Sequence, residues 1–272
     1  MTATAPPPLS GVTSPGRAAV PARTLRTDRW WLNPLVTFLG LSVFLIYGGV
    51  RAAMQNYYWV AEYHYLTPFY SPCVSMTCIE GAAHFGRPFP EFPALIPLAI
   101  VSLPLLLLFR FTCYYYRKAY YRSFWLSPPA CAVGEPHKEY SGETRFPLLG
   151  QNMHRYFFYA VVLISAINTY DAVLAFNGEG GFGIGLGNII LVVNVILLWA
   201  YTISCHSCRH ILGGKLKHFS KHPVRYRAWT GVSFLNGWHM QLAWITLGTL
   251  MLTDGYIALV SAGVLTDLRI FN

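Results

Sequence analysis

The chain has 272 residues, of which 54% are hydrophobic and only 11% charged, with a formal net charge of +9. A water-soluble domain carries roughly 25% charged residues, so this composition excludes an ordinary soluble enzyme and points to a protein whose solvent is lipid. The basic excess needs no nucleic-acid partner, because basic loops that resist translocation account for it in a membrane protein.

The first 33 residues are rich in Pro, Ala, Thr and Ser, with scattered Arg and no apolar core followed by a cleavage site. They read as a disordered cytoplasmic tail, leaving 34–272 as the transmembrane domain. Crossing a hydrocarbon layer of ~30 Å takes about 20 apolar residues. Five stretches qualify, at 35–53, 94–112, 156–176, 186–212 and 229–252. The expected fold is an all-α integral membrane protein, a five-transmembrane-helix bundle.

Between the first two spans, 55–92 carries Tyr57, Tyr58, Trp59, Tyr63, Tyr65, Phe69 and Tyr70. Such rings favour the headgroup zone, so this segment is expected to form an external aromatic-rich cap. It contains Cys73 and Cys78, whose spacing suits either a small disulfide or two free thiols. The connection 113–155 mixes Tyr/Arg clusters with prolines and suits a soluble partner, 177–185 is short and glycine-rich, and 213–227 is basic. The tail 254–272 is too short and polar for a sixth crossing.

Of the 20 Lys and Arg, only Arg51, Arg87 and Arg269 fall on the side opposite the N-terminus. The positive-inside rule therefore sets the N-terminus in the cytoplasm of a bacterial inner (plasma) membrane, and the cap outside. Glu62, Glu80, Glu91, Asp171, Glu179, Asp254 and Asp267 gather on the outer side. Arg51 and Asp171 are candidates for an outer quinone site or a simple ion pair.

The chemistry gathers at the inner end. Ser204-Cys205-His206-Ser207-Cys208-Arg209-His210 is unusual for a membrane helix. If the fourth helix continues to Leu212, Cys205 and Cys208 share a face, since residues three apart are helix neighbours. Two thiolates there can reach one metal. His154 enters the third span at a similar depth, and His239 lies within the fifth, a turn or two deeper. A buried ionisable group in a membrane helix is costly and usually functional, which selects His154 and His239 as partners of the cysteine pair, with His206 and His210 as alternatives. Cys113 and Cys131 read as reduced structural thiols. Two Cys and two His can hold zinc or a Rieske [2Fe–2S] cluster, whereas His154 and His239 alone can ligate a b-type haem.

The run SCHSCRHILGG (204–214), then Lys217-His218-Phe219-Ser220 and NGWHMQLAW (236–244), resembles the membrane anchor subunit of succinate dehydrogenase and fumarate reductase, respiratory complex II, in its actinobacterial type. The resemblance extends over most of the chain from Trp30 onward. It implies a membrane-embedded Rieske-type [2Fe–2S] centre in place of haem, with Cys205 and Cys208 as thiolate ligands and His154 and His239 as the imidazoles. It implies docking of a flavoprotein subunit, which holds FAD, and of an iron–sulfur subunit, with electrons passing on to menaquinone or ubiquinone. This chain would itself perform no succinate chemistry. No paired C-x-H and C-x2-H loops of the soluble Rieske type are present.

A quinone needs hydrogen-bond donors and an aromatic slot, which His222, Tyr226 and Trp229 supply near the inner surface. The same residues also fit an ordinary interface belt. A bis-His haem anchor and a non-redox transporter or scaffold are the competing readings. The near absence of Asp and Glu deep in the spans speaks against a transporter.

Overall fold

In the computed structural model, which describes residues 26–134, 136 and 144–272, the long apolar runs are helical and the Gly- and Pro-rich segments between them are not. Most of the tail expected over 1–33 lies outside the described residues. The helices are α1 (Leu32–Met54), α2 (Leu103–Thr112), α3 (Tyr114–Phe124), α4 (His154–Leu174), α5 (Leu186–Ile203), α6 (His206–Gly213), α7 (Pro223–Gly237) and α8 (His239–Ser261). Among the described residues α1, α4, α5 and α8 are each long and apolar enough to cross a membrane, and α2 with α3 makes a fifth if that broken pair counts as one span. Bare apolar side chains such as Ile46 (67% exposed), Leu163 (62%) and Leu252 (70%) are those of helices facing lipid rather than water.

The chain divides into two units. The smaller comprises Met1–Leu41 and Tyr114–Leu149. Within it Phe38 packs on Phe124, with ring centroids 4.7 Å apart, and Arg26 donates to Asp28 and to the carbonyl of Cys131.

The larger unit, Ser42–Cys113 and Gly150–Asn272, is the helix bundle with its cap. Here α5 packs against α8 and α4, and α4 against α2, around Val161, Ile164, Leu198, Leu247 and Leu250. The cap sits at the end where α4 finishes and α5 begins. Its short strands β1 (Trp59–Val60) and β2 (Tyr65–Leu66) pair antiparallel, and Cys73 and Cys78 form a disulfide. Further hairpins pair β3 (Asn177–Gly178) with β4 (Gly181–Phe182), and β5 (Ile184–Gly185) with the C-terminal β6 (Arg269–Phe271). The buried Tyr65 hydroxyl lies 2.8 Å from Asn188 Oδ1 and 2.9 Å from Asp267 Oδ2, joining the cap, the start of α5 and the C-terminal tail.

Three expectations are corrected. The second span is not one continuous helix. A 3-10 turn (Leu98–Ile100) precedes α2, and Cys113 adopts an extended conformation that ends it. The fourth helix stops at Ile203 and restarts at His206, because Cys205 is extended and caps α6. The last span begins at His239 rather than at Trp229, since the chain breaks at Trp238, and it runs to Ser261. The ion pairs also differ. Arg51 donates to Asp254 at 2.6 Å rather than to Asp171, which instead meets His84 Nδ1 at 2.7 Å and Ser71.

Candidate functional site

At the end of the bundle remote from the cap, four chain breaks meet: the end of α2, the start of α4, the gap between α5 and α6, and the start of α8. Each delivers one side chain able to ligate a metal. Cys205 Sγ lies 3.0 Å from His154 Nε2, and Cys113 Sγ lies 3.4 Å from His239 Nε2. Neither thiol is in a disulfide, and both are buried.

The two imidazoles are held alike. Thr112 Oγ1 lies 2.9 Å from His154 Nδ1 and donates its own hydrogen to the carbonyl of Leu108. Ser204 Oγ lies 2.7 Å from His239 Nδ1 and donates to the carbonyl of Tyr201. A hydroxyl has one hydrogen, so each must accept from the imidazole, which puts the ring proton on Nδ1 and leaves the Nε2 lone pair facing sulfur. Ligating histidines are oriented in this way by partners behind them. The amide of Ser207 donates to Cys205 Sγ at 3.4 Å.

Aromatic rings pack the space behind. His154 stacks on Phe109 (4.8 Å), Phe109 meets Tyr201 edge-on (5.5 Å), and Tyr201 stacks on His239 (5.0 Å). Phe109 and Tyr201 thus link the two histidine rings in one row of aromatic contacts. Arg110, buried in α2, donates to the carbonyl of Ala243 and to Thr246 Oγ1, and its guanidinium carbon lies 4.8 Å from the Tyr201 ring centroid.

Of the expected ligands, Cys205, His154 and His239 are brought together. Cys208 is not among them: the break at Cys205 removes the shared helix face, and Cys208 sits half-buried on α6. Cys113 takes the fourth place. The signal for it was depth, since it closes the second span at the level where His154 opens the third. His206 is exposed, and His210 is engaged by Arg155, whose Nη2 lies 2.8 Å from its Nδ1.

Among the described residues no group of three or more His, Cys, Asp or Glu side chains could hold a single metal ion. The donors come as two Cys–His pairs. Together they make two thiols and two imidazoles, the number and kind of side chains that a Rieske-type two-iron cluster would take, both thiolates on one iron and both imidazoles on the other.

Beside this centre a cavity of about 220 Å³ is lined by His206, Arg209, His210, Gly213, Gly214 and Trp229. Arg209 lies 4.9 Å over the Trp229 ring, and Trp229 also packs with Phe219 and Tyr226. Trp229 of the expected quinone trio thus lines a cavity. Tyr226 stacks behind it, and His222 is exposed.

Comparison with known proteins places this arrangement. Residues 32–263 match the family model described as "Actinobacterial succinate dehydrogenase subunit SdhC". A solved chain from the "Mycobacterium smegmatis Sdh1 complex in the apo form" is 66% identical, covers 96% of this chain and 99% of its own, and superposes with a TM-score of 0.89. A search of curated proteins gives no match.

Proposed function

Since the chain belongs to the actinobacterial succinate dehydrogenase SdhC family, we propose that this multi-pass membrane subunit docks a flavoprotein and an iron–sulfur subunit and relays their electrons to quinone through a Rieske-type [2Fe–2S] centre. The observation that carries the reading is the pairing of Cys113 with His239 and of Cys205 with His154, both Nε2 lone pairs turned toward sulfur. When bound, such a cluster supplies one-electron transfer at a potential raised by its imidazole ligands.

The chain's own residues do the rest. Cys113, Cys205, His154 and His239 are the ligands, and Cys208 is not required. Ser204 and Thr112 fix the imidazole tautomers. Phe109 and Tyr201 pack against the two imidazoles and hold the rings in place.

The cavity beside the centre takes the quinone headgroup, with Trp229 as its ring platform. Arg155 can only donate, so His210 accepts at Nδ1 and carries its proton on Nε2, where it is a donor for a quinone carbonyl. His206 and Arg209 complete the donor set, and Tyr226 and His222 form the outer rim. The N-terminus is cytoplasmic, and the partner subunits dock on that side, where the basic connections lie.

The test is iron, acid-labile sulfide and haem analysis of the purified complex, with paramagnetic resonance of the reduced sample. The expected result is a Rieske-like signal in the parent that is lost in Cys205→Ser. A reduced haem α-band dependent on His239, with no cluster signal, would overturn the proposal.

A further inference from the structure

The centre has a charged neighbour that ligation does not explain. Arg110 is 5% exposed and sits three residues before Cys113 on the helix that ends there. A guanidinium inside a membrane bundle is costly to bury and marks a functional position. It donates to the Ala243 carbonyl and to Thr246 Oγ1, both at 3.1 Å on α8. Its face lies on Tyr201, which stacks on His239, so the cation stands one ring away from a ligand.

We infer that Arg110 is a positioning residue that sets the reduction potential of the centre by stabilising its reduced form. This rests on the cluster reading above. Two ferric ions, two sulfides, two thiolates and two neutral imidazoles sum to no net charge, and taking up one electron leaves one negative charge. No proton or bond is exchanged. A fixed cation nearby, in a medium that screens weakly, lowers the free energy of the reduced state alone. Arginine suits this role because it keeps its charge at any working pH and stacks on an aromatic face. The electron comes from the partner subunits and leaves to quinone, so the charge biases the intermediate stop toward being filled.

The experiment is a redox titration, followed by paramagnetic resonance, of the intact complex carrying parent, Arg110→Lys and Arg110→Gln chains. Arg110→Met is added because it fills similar volume without burying an amide, and it gives the same reading if the Gln variant fails to assemble. The expected outcome is a fall of about tenfold in the equilibrium constant for reduction in the uncharged variants, equivalent to about 59 mV for one electron, with Arg110→Lys close to the parent. A merely structural role would not be rescued by charge. Unchanged potentials with an intact signal overturn the inference and leave the redox reading standing. No Rieske-like signal in the parent complex overturns the redox reading itself, and the inference with it.

Discussion

Ser204 Oγ receives the Nδ1 proton of His239 across 2.7 Å while giving its own hydrogen to the Tyr201 carbonyl, so this hydroxyl alone decides which imidazole nitrogen faces Cys113. Ser204→Ala removes the acceptor and frees the ring to turn. Losing such a supporting partner typically costs about 10- to 100-fold in metal affinity. The expected result is faster loss of iron to a chelator, with the helical content unchanged. Thr112→Val should act in the same direction through His154.

The two candidate fourth ligands separate cleanly. Cys113→Ser should remove this centre's two irons and two labile sulfides from the purified complex and leave those of the iron–sulfur subunit, because its thiol faces His239 at 3.4 Å. Cys208→Ser should retain both, since Cys208 lies on α6 beyond the break at Cys205 and is half-buried. Metal analysis of the two variants side by side decides the matter. Iron lost in Cys208→Ser and kept in Cys113→Ser would reverse the assignment.

This contrast locates what the sequence could and could not reveal. Long apolar runs specify membrane helices almost by length alone, so the spans at α1, α4 and α5 were legible, as was the convergence of His154, Cys205 and His239, polar groups in apolar surroundings, at one end of the bundle. What misled was the assumption of helical continuity. Nothing in SCHSCRH announces that Cys205 turns extended, yet that single residue decides whether Cys208 shares its face. Cys113 and Arg110 escaped for the opposite reason: at the end of a span a thiol reads as structural and an arginine as part of the interface belt. The cap's partners were equally hidden, because the Arg51–Asp254 pair joins residues 203 apart in sequence.

That pair allows a stability prediction. Arg51 Nε donates to Asp254 at 2.6 Å and Tyr47 donates to the same carboxylate at 2.7 Å, all at the cap end of the bundle. Asp254→Leu leaves a buried guanidinium uncompensated, which typically costs about 3–5 kcal/mol. Pairing it with Arg51→Met should recover most of the loss, since two apolar groups replace two charges. Thermal denaturation of the detergent-solubilised complex checks both variants.

The cap should also respond to alkali. Burial pushes the Tyr70 phenol up to about 12 against a weaker opposing effect of Arg51, and burial raises that of Tyr58 as well. An unfolded tyrosine ionises near ~10. Between those values the folded cap keeps protons that the unfolded chain has lost. Its contribution to stability is therefore full below about 10 and disappears as pH rises toward the folded value. Phenolate absorbance should show these residues ionising late, with cap unfolding in the same interval. Ionisation of all the cap tyrosines together near the ordinary value, with the fold intact, would contradict it.

The arrangement of thiols, finally, gives a test of which way the chain crosses the membrane. Cys73 and Cys78 are joined in the cap, whereas Cys131 is free and exposed in the smaller unit. Disulfides persist where the compartment is oxidising, so the proposed orientation, with the cap outside and Cys131 in the cytoplasm, can be checked by labelling. A membrane-impermeant maleimide applied to intact cells should label neither. After mild reduction it should label the cap pair, and after lysis Cys131. Closing so short a loop is worth about 2 kcal/mol, so Cys73→Ser with Cys78→Ser should leave the complex assembled while the cap becomes more susceptible to external protease. Labelling of Cys131 from outside the cell would reverse the orientation and, with it, the face on which the partner subunits dock.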